Sequence, residues 1–148
     1  AAGVTMPLEN LPRFEATIAA AVARRGLAIP QPPVLRLDAW LPEIAQRLDV
    51  ARVLELLQPY GHDNGRPVFG IRDARLVKYS VMGREKTHLK LHIGTGQREI
   101  EAILWQGAER SSELVGARRV DVAGHLDINA YNGTERLQVL VLDFRRAG

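Results

Sequence analysis

At residue 68 the hydrophobic period of this chain changes from helical to two, and it stays at two almost to the end. Residues 68–82 read as one long strand, closed by a turn at Gly83-Arg84-Glu85. Over 87–93 the alternation is clean: Leu89, Leu91 and Ile93 share one face, and His88, Lys90 and His92 the other. Gly94-Thr95-Gly96 turns the chain, and 99–106 forms a third strand carrying Ile100, Ala102 and Leu104. A short helical insert over 107–115 follows. Val120, Val122, Leu126 and Ile128 then mark a fourth strand, and 137–144 a fifth. Asn132-Gly133 between these two is a hairpin turn, because both central positions of a type I′ turn need positive φ.

The order β-β-β-α-β-β, with the helix between strands three and four, is the layout of a five-stranded OB-fold barrel. Other small barrels share that order. The fold class expected is α+β, mainly β.

Ahead of the barrel, residues 1–7 read as a short strand closed by Pro7. Asn10 stands as a helix N-cap with Pro12 in the first turn. Phe14, Ile18, Ala21 and Val22 follow helical spacing until Gly26. Residues 29–33 hold Pro30, Pro32 and Pro33 and form a linker. Leu35, Leu37, Ala39 and Leu41 alternate as a half-buried strand, and Asp49 caps a short helix through Val50, Val53, Leu54 and Leu57. Residues 59–67 are a turn-rich loop. The resulting division is 1–29, a linker with a connecting strand and helix over 30–66, and the barrel over 67–148. Residue 1 is Ala, and the chain starts in what reads as mid-strand, as a piece of a longer protein would.

Several chemistries are excluded by residue type. The chain has no cysteine, so it holds no disulfide, thiolate nucleophile or sulfur-ligated zinc. No apolar run is long enough to span a bilayer and no signal-peptide layout is present; no membrane partner and a cytoplasmic location are expected. His88 and His92 are four apart, but on a strand that spacing is roughly 13 Å, too far for one ion. His62 and Asp63 lack a third ligand and read as a turn. Ser111-Ser112 has no nucleophile-elbow setting, and Asp121, Asp127 and Asp143 form no carboxylate pair. Gly94-Thr95-Gly96 opens no helix and is no phosphate loop.

Charge is distributed unevenly. Residues 66–92 hold seven Lys and Arg against Asp73 and Glu85, with His88 and His92 in the same stretch. Such an excess makes a phosphate-attracting surface if the side chains converge, and a solvated mixed-charge face if they do not. Lys78, His88, Lys90 and His92 belong to one polar strand face, bordered by Arg84 and Lys86 in the turn. OB folds bind single strands on their second and third strands, framed by the loops joining strands one and two and strands four and five. The candidate binding set is therefore Lys78, Arg84, Lys86, His88, Lys90 and His92, with Tyr131 and Arg136 at the second loop. Tyr79, Trp105 and Tyr131 are candidate stacking platforms, each equally suited to packing at the rim.

The segment Leu57-Gln58-Pro59-Tyr60-Gly61-His62-Asp63-Asn64-Gly65-Arg66-Pro67-Val68-Phe69 resembles the loop leading into the OB domain of the RecJ family of bacterial single-strand-specific exonucleases. His88-Leu89-Lys90-Leu91 and the stretch from Leu126 through Asn132-Gly133 to Leu137-Gln138-Val139 and Asp143 are similar to later parts of that domain. Ala1-Ala2-Gly3 resembles the close of the family's Gly-Gly-His…Ala-Ala-Gly motif in the DHHA1 domain. The chain departs from the usual Gly-x-Gly-Asn-Pro loop at Asp63 and Gly65. The resemblance implies that residues 1–29 are the end of a DHHA1 domain. It implies that Ala2 and Gly3 allow close approach of DNA. It further implies that the parent is a 5′→3′ exonuclease of repair and recombination, with Mn²⁺ or Mg²⁺ in a DHH domain outside this chain. No catalytic residue, metal ligand or cofactor is carried over, and this chain alone is expected to be non-catalytic. The partner implied is single-stranded DNA. The alternative is a protein-interaction barrel docking an acidic partner, such as the tail of a single-strand-binding protein.

Overall fold

The computed structural model describes residues 3–26 and 34–148, in two compact units, Ala1–Val34 and Leu35–Gly148. In the first unit a 3₁₀ turn, Leu8–Asn10, leads into α1, Leu11–Arg24. Asn10 precedes the helix as expected, but with φ −87° and ψ −10° it is already helical and its side chain makes no capping bond. Pro12 sits in the first turn, where a missing N–H costs nothing. Gly26 takes φ +65°, the left-handed stop. The strand expected over 1–7 is corrected: residues 3–7 are irregular, and no strand among the described residues pairs with them. Residues 1–2 and the linker at 29–33 lie outside the described residues.

In the second unit the strand expected over 35–41 shortens to β1, Ala39–Trp40, which runs parallel to the start of the barrel. Leu41 donates to Gly70 O at 2.8 Å, and Pro42, with no N–H, follows it. Trp40 lies against Gly70; a Cβ there would come 2.5 Å from a ring carbon, so only glycine fits. After a 3₁₀ turn at Glu43–Ala45 comes α2, Leu48–Glu55. Asp49 lies inside this helix rather than capping it. Arg47 holds the cap position, and Asp49 accepts from its guanidinium at 2.6 Å and 3.0 Å. A carboxylate in the first turn is also favoured by the helix dipole.

The barrel comprises β2, Phe69–Met82; β3, His88–Thr95; β4, Arg98–Leu104; β5, Arg119–Tyr131; and β6, Thr134–Arg146. The sheet order is β1-β2-β3-β4-β6-β5, and β2 pairing with β5 closes it, giving the expected OB topology. β2 serves both ends of that order. Residues 69–75 pair with β5 and residues 75–82 with β3. The bend this requires is a bulge at Asp73, φ +51°, whose N–H donates to Asp121 Oδ1 at 2.9 Å and whose carbonyl accepts from Arg119 at 2.8 Å.

Asn132 and Gly133 both take positive φ, as the hairpin reading requires. The turn after β3 falls at Gly96-Gln97 instead, because Gly94 and Thr95 still pair with Glu99 and Arg98. The helical insert is 3₁₀, Ala108–Leu114, and β6 is longer than expected because it pairs with β5 from Tyr131↔Thr134 to Val120↔Arg146. Leu89, Leu91 and Ile93 are fully buried, with Ala102, Val120, Val122 and Val139 beside them. Leu114 of the insert and Ala51 of α2 enter the same core. Each large apolar side chain so buried stabilises the barrel by about 1.5–3 kcal/mol.

Candidate nucleic-acid interface

Register decides what the outer wall carries. Across β2 and β3, Lys78 stands opposite His92, Ser80 opposite Lys90, and Met82 opposite His88. Partners in a ladder share a face, so the structure gathers Lys78, His88, Lys90 and His92 on the outside, behind the buried leucines. The fourfold grouping expected from the alternation is present.

β4 changes its electrostatics. Lys90 Nζ donates to Glu101 Oε2 at 2.9 Å, and both side chains are about three-quarters covered. His92 Nδ1 donates to Glu99 Oε1 at 2.7 Å. Lys90 is thus neutralised by the adjoining strand and His92 is held to it by a hydrogen bond, which corrects the reading of both as free phosphate contacts. The Lys90 hydrogen bond holds the Glu101 carboxyl below the usual carboxylate range against the opposing effect of burial. Glu99 and Glu101 went unassigned from sequence. The signal was their alternation with Ile100 and Ala102, which puts them outward, but the β3–β4 register was needed to pair them.

His88 is likewise engaged. Its Nδ1 accepts from the Gln106 N–H at 3.1 Å, and its ring meets Trp105 edge-on at 4.6 Å between centroids. Trp105 is therefore partly committed to packing, though half-exposed. Tyr79 stands opposite buried Leu91, in a row with Val77 and Val81, and faces away from the cationic wall. Tyr131 is 72% exposed at the β5–β6 turn and remains an open platform.

The unpaired cations lie toward the ends of the wall. Arg84 and Lys86 occupy the β2–β3 turn, exposed and, among the described residues, without an ion pair. Lys78 is exposed in the same way on β2. At the opposite end, Arg136 on β6 stands across from Asn129, and Arg98 opens β4. Both are exposed; Arg136 belongs to the expected set and Arg98 does not. Gly3 belongs to the first unit, with open space where a Cβ would be; Ala2 lies outside the described residues.

Beside Arg98 and Arg136 a cleft is lined by Gln46, Glu99, Glu101 and Gln138. Gln138 Nε2 donates to Asp127 Oδ2 at 2.6 Å, while Arg66 donates to Asp127 Oδ1 at 2.8 Å. Gln46 Nε2 donates to Leu41 O at 3.1 Å. The side-chain oxygens of both glutamines are buried without a partner. Leaving such an acceptor unmade costs about 1–3 kcal/mol. No group of three or more His, Asp or Glu positioned for a metal ion occurs among the described residues. No helix among them is long and apolar enough to cross a membrane.

Comparison with known proteins agrees with this architecture. The family model described as RecJ OB domain matches residues 37–143. The single-stranded-DNA-specific exonuclease RecJ of Thermus thermophilus is 32% identical over 152 residues, covering 99% of this chain and 20% of its own length. Its counterpart in Bacillus subtilis is 22% identical over 143 residues, covering 97% of this chain and 18% of that protein. The crystal structure of RecJ in complex with Mn²⁺ from Thermus thermophilus superposes with a TM-score of 0.74 at 29% identity, over 99% of this chain and 20% of that one. The chain thus spans about a fifth of the length of these relatives. By the match over its barrel and connecting segment, the chain belongs to the RecJ OB domain family.

Proposed function

We propose that this chain is the single-stranded-DNA-holding region of a RecJ-type 5′→3′ exonuclease acting in DNA repair and recombination. The observation that supports it is the bracketing of one barrel wall by cations that form no ion pair among the described residues, Arg84 and Lys86 at one end and Arg98 and Arg136 at the other. Guanidinium and ammonium groups at the two ends contact phosphates. The neutralised middle, with Lys90 and His92 tied to carboxylates, adds no net attraction and leaves room for bases. Tyr131 offers a ring to stack on. On this reading residues 1–29 are the end of a DHHA1 domain, and Mn²⁺ or Mg²⁺ belongs to a catalytic domain of the parent. This chain contributes grip rather than hydrolysis.

The test is a titration of labelled single-stranded oligonucleotide with the purified chain over a series of salt concentrations. Four phosphate contacts give a log–log slope near −3, from about −0.7 per contact on single strands. A slope near zero removes the reading.

A second reading is a dock for an acidic peptide, such as the tail of a single-strand-binding protein. It is favoured by the exposed row of Val77, Tyr79 and Val81 on β2, next to the Arg84–Lys86 turn. Saturable binding of an acidic peptide with apolar residues, unaffected by excess oligonucleotide, would support it.

A further inference from the structure

Two irregularities in β2 put three cations on one face. In a regular strand, side chains three apart point to opposite sides. Arg72, Arg75 and Lys78 are three apart, yet the ladder places them together. Ile71 and Ala74 both face the core, opposite Val122 and Val120, because the bulge between them resets the alternation. Arg75 then stands opposite Gly94, on the outer side of β3 beside buried Ile93. A second shift, between Leu76 and Lys78, absorbs Val77 and sets Lys78 opposite His92 on that same side. All three cations are exposed and form no ion pair among the described residues.

Two of the three are seated where a glycine leaves room. Gly70, two residues before Arg72, admits the Trp40 ring, and the Arg72 guanidinium carbon lies 3.7 Å from the centroid of that ring. Gly94 does the same for Arg75, whose guanidinium lies 2.8–3.1 Å from where a Cβ would stand. A planar guanidinium resting on an indole keeps its other face for a second flat partner. The cleft between Arg72 and Arg75 also holds Arg119, Asp73 and Glu43. Asp73 is taken by Arg119 at 2.8 Å, and Glu43 lies against Gly96 at the β3–β4 turn. Asp121, behind the bulge, is taken by Arg145 at 2.9 Å.

We propose that β2 carries a further stretch of the single-strand path, with a base stacked on the free face of Arg72 and phosphates on Arg75 and Lys78. This rests on the single-strand-binding reading above and extends the path along β2 to the place where β1 joins the barrel. A row that offers a flat stacking face in line with point charges matches a nucleic-acid strand, which presents bases and phosphates together.

The experiment titrates this chain and its variants with labelled dT oligomers of about 15 nucleotides, near the upper site size of one OB fold, by fluorescence anisotropy over a salt series. Arg72→Lys keeps the charge and removes the plane. It is expected to weaken binding roughly fivefold or more, the low end for one stacked base, with the salt slope unchanged. Gly70→Ala moves the ring out from under Arg72 and alters no charge; the same loss is expected. Arg75→Ala with Lys78→Ala is expected to flatten the log–log slope by about 1.4, from about 0.7 per phosphate contact. Affinity retained in Arg72→Lys or in Gly70→Ala overturns the stacking face. An unchanged slope in the double variant overturns the phosphate contacts. Both of these leave the DNA reading intact, since it stands on the cations at the ends of the wall. Failure of the unaltered chain to bind the oligomer overturns both.

Discussion

Lys90 reaches diagonally across adjoining strands of the barrel to Glu101, which stands opposite His92, and their charged atoms lie 2.9 Å apart and largely covered. The most central lysine of the wall is therefore not a free charge, and the attraction of the surface is set at its ends.

Charge reversal should follow that division. Lys90→Ala leaves Glu101 as an unpaired anion on the wall and is expected to weaken oligonucleotide affinity several-fold, less than the loss expected at the turn. Arg84→Glu with Lys86→Glu is expected to weaken binding roughly tenfold or more, about equally for every sequence, and to flatten the salt dependence. Glu101→Gln releases Lys90 and should tighten binding several-fold at low salt. Anisotropy titrations of the three variants check this; a larger loss from Lys90→Ala than from the turn variant contradicts it.

The same pair has a pH signature. Lys90 lowers the folded-state pKa of Glu101 below its ordinary 4.5, so the carboxylate is better stabilised folded than unfolded. Its contribution is complete above the ordinary value and is lost as pH falls through the lowered one. Urea midpoints of the chain and of Glu101→Gln should therefore differ by a constant amount from neutrality down to about pH 5, then converge in more acid solution. Curves that converge on the alkaline side instead would reverse the sign.

Leu91 is fully buried between the outward Lys90 and His92. Leu91→Ala should cost about 2–5 kcal/mol, read from urea unfolding, because the closed barrel cannot collapse onto the space.

At Gly70 the obstacle is an added atom. Gly70→Ala puts a methyl 2.5 Å from the Trp40 ring, so the ring must move out from its place under Arg72, whose guanidinium carbon lies 3.7 Å from the ring centroid. A loss of about 1–3 kcal/mol and a red shift of tryptophan emission are expected. Unchanged emission would show that the strand moves rather than the ring.

How much of this could be read beforehand depends on whether it is local. The five barrel strands and the Asn132-Gly133 turn are written in alternation and turn chemistry, which act over a few residues. The expected strand at residues 3–7 is not there, because alternation states a willingness to pair and says nothing about a partner. Asp49 reads as a cap in isolation, and only the position of Arg47 shows it to lie too deep in the helix for that role. The wall cations were found from Leu89, Leu91 and Ile93, whereas their neutralisation needed the alignment of β3 on β4, which no local pattern fixes. Gln46 and Gln138 lie far apart in sequence and carry no pattern at all; the fold alone brings them to one cleft.

The five seams of the barrel are unequal in length. β5 and β6 are joined from Val120 to Tyr131, while β4 and β6 meet only at Glu101↔Gln138, Ala102↔Val139 and Ile103↔Leu140. That short parallel join is where the closed wall breathes first, and amide exchange should be fastest there among the core strands. It also lies beneath the cleft that Gln138 helps to line, and there Asp127, taking hydrogen bonds from both Gln138 and Arg66, stitches β6 and the loop before the barrel onto β5 and so reinforces the weakest closure of the wall.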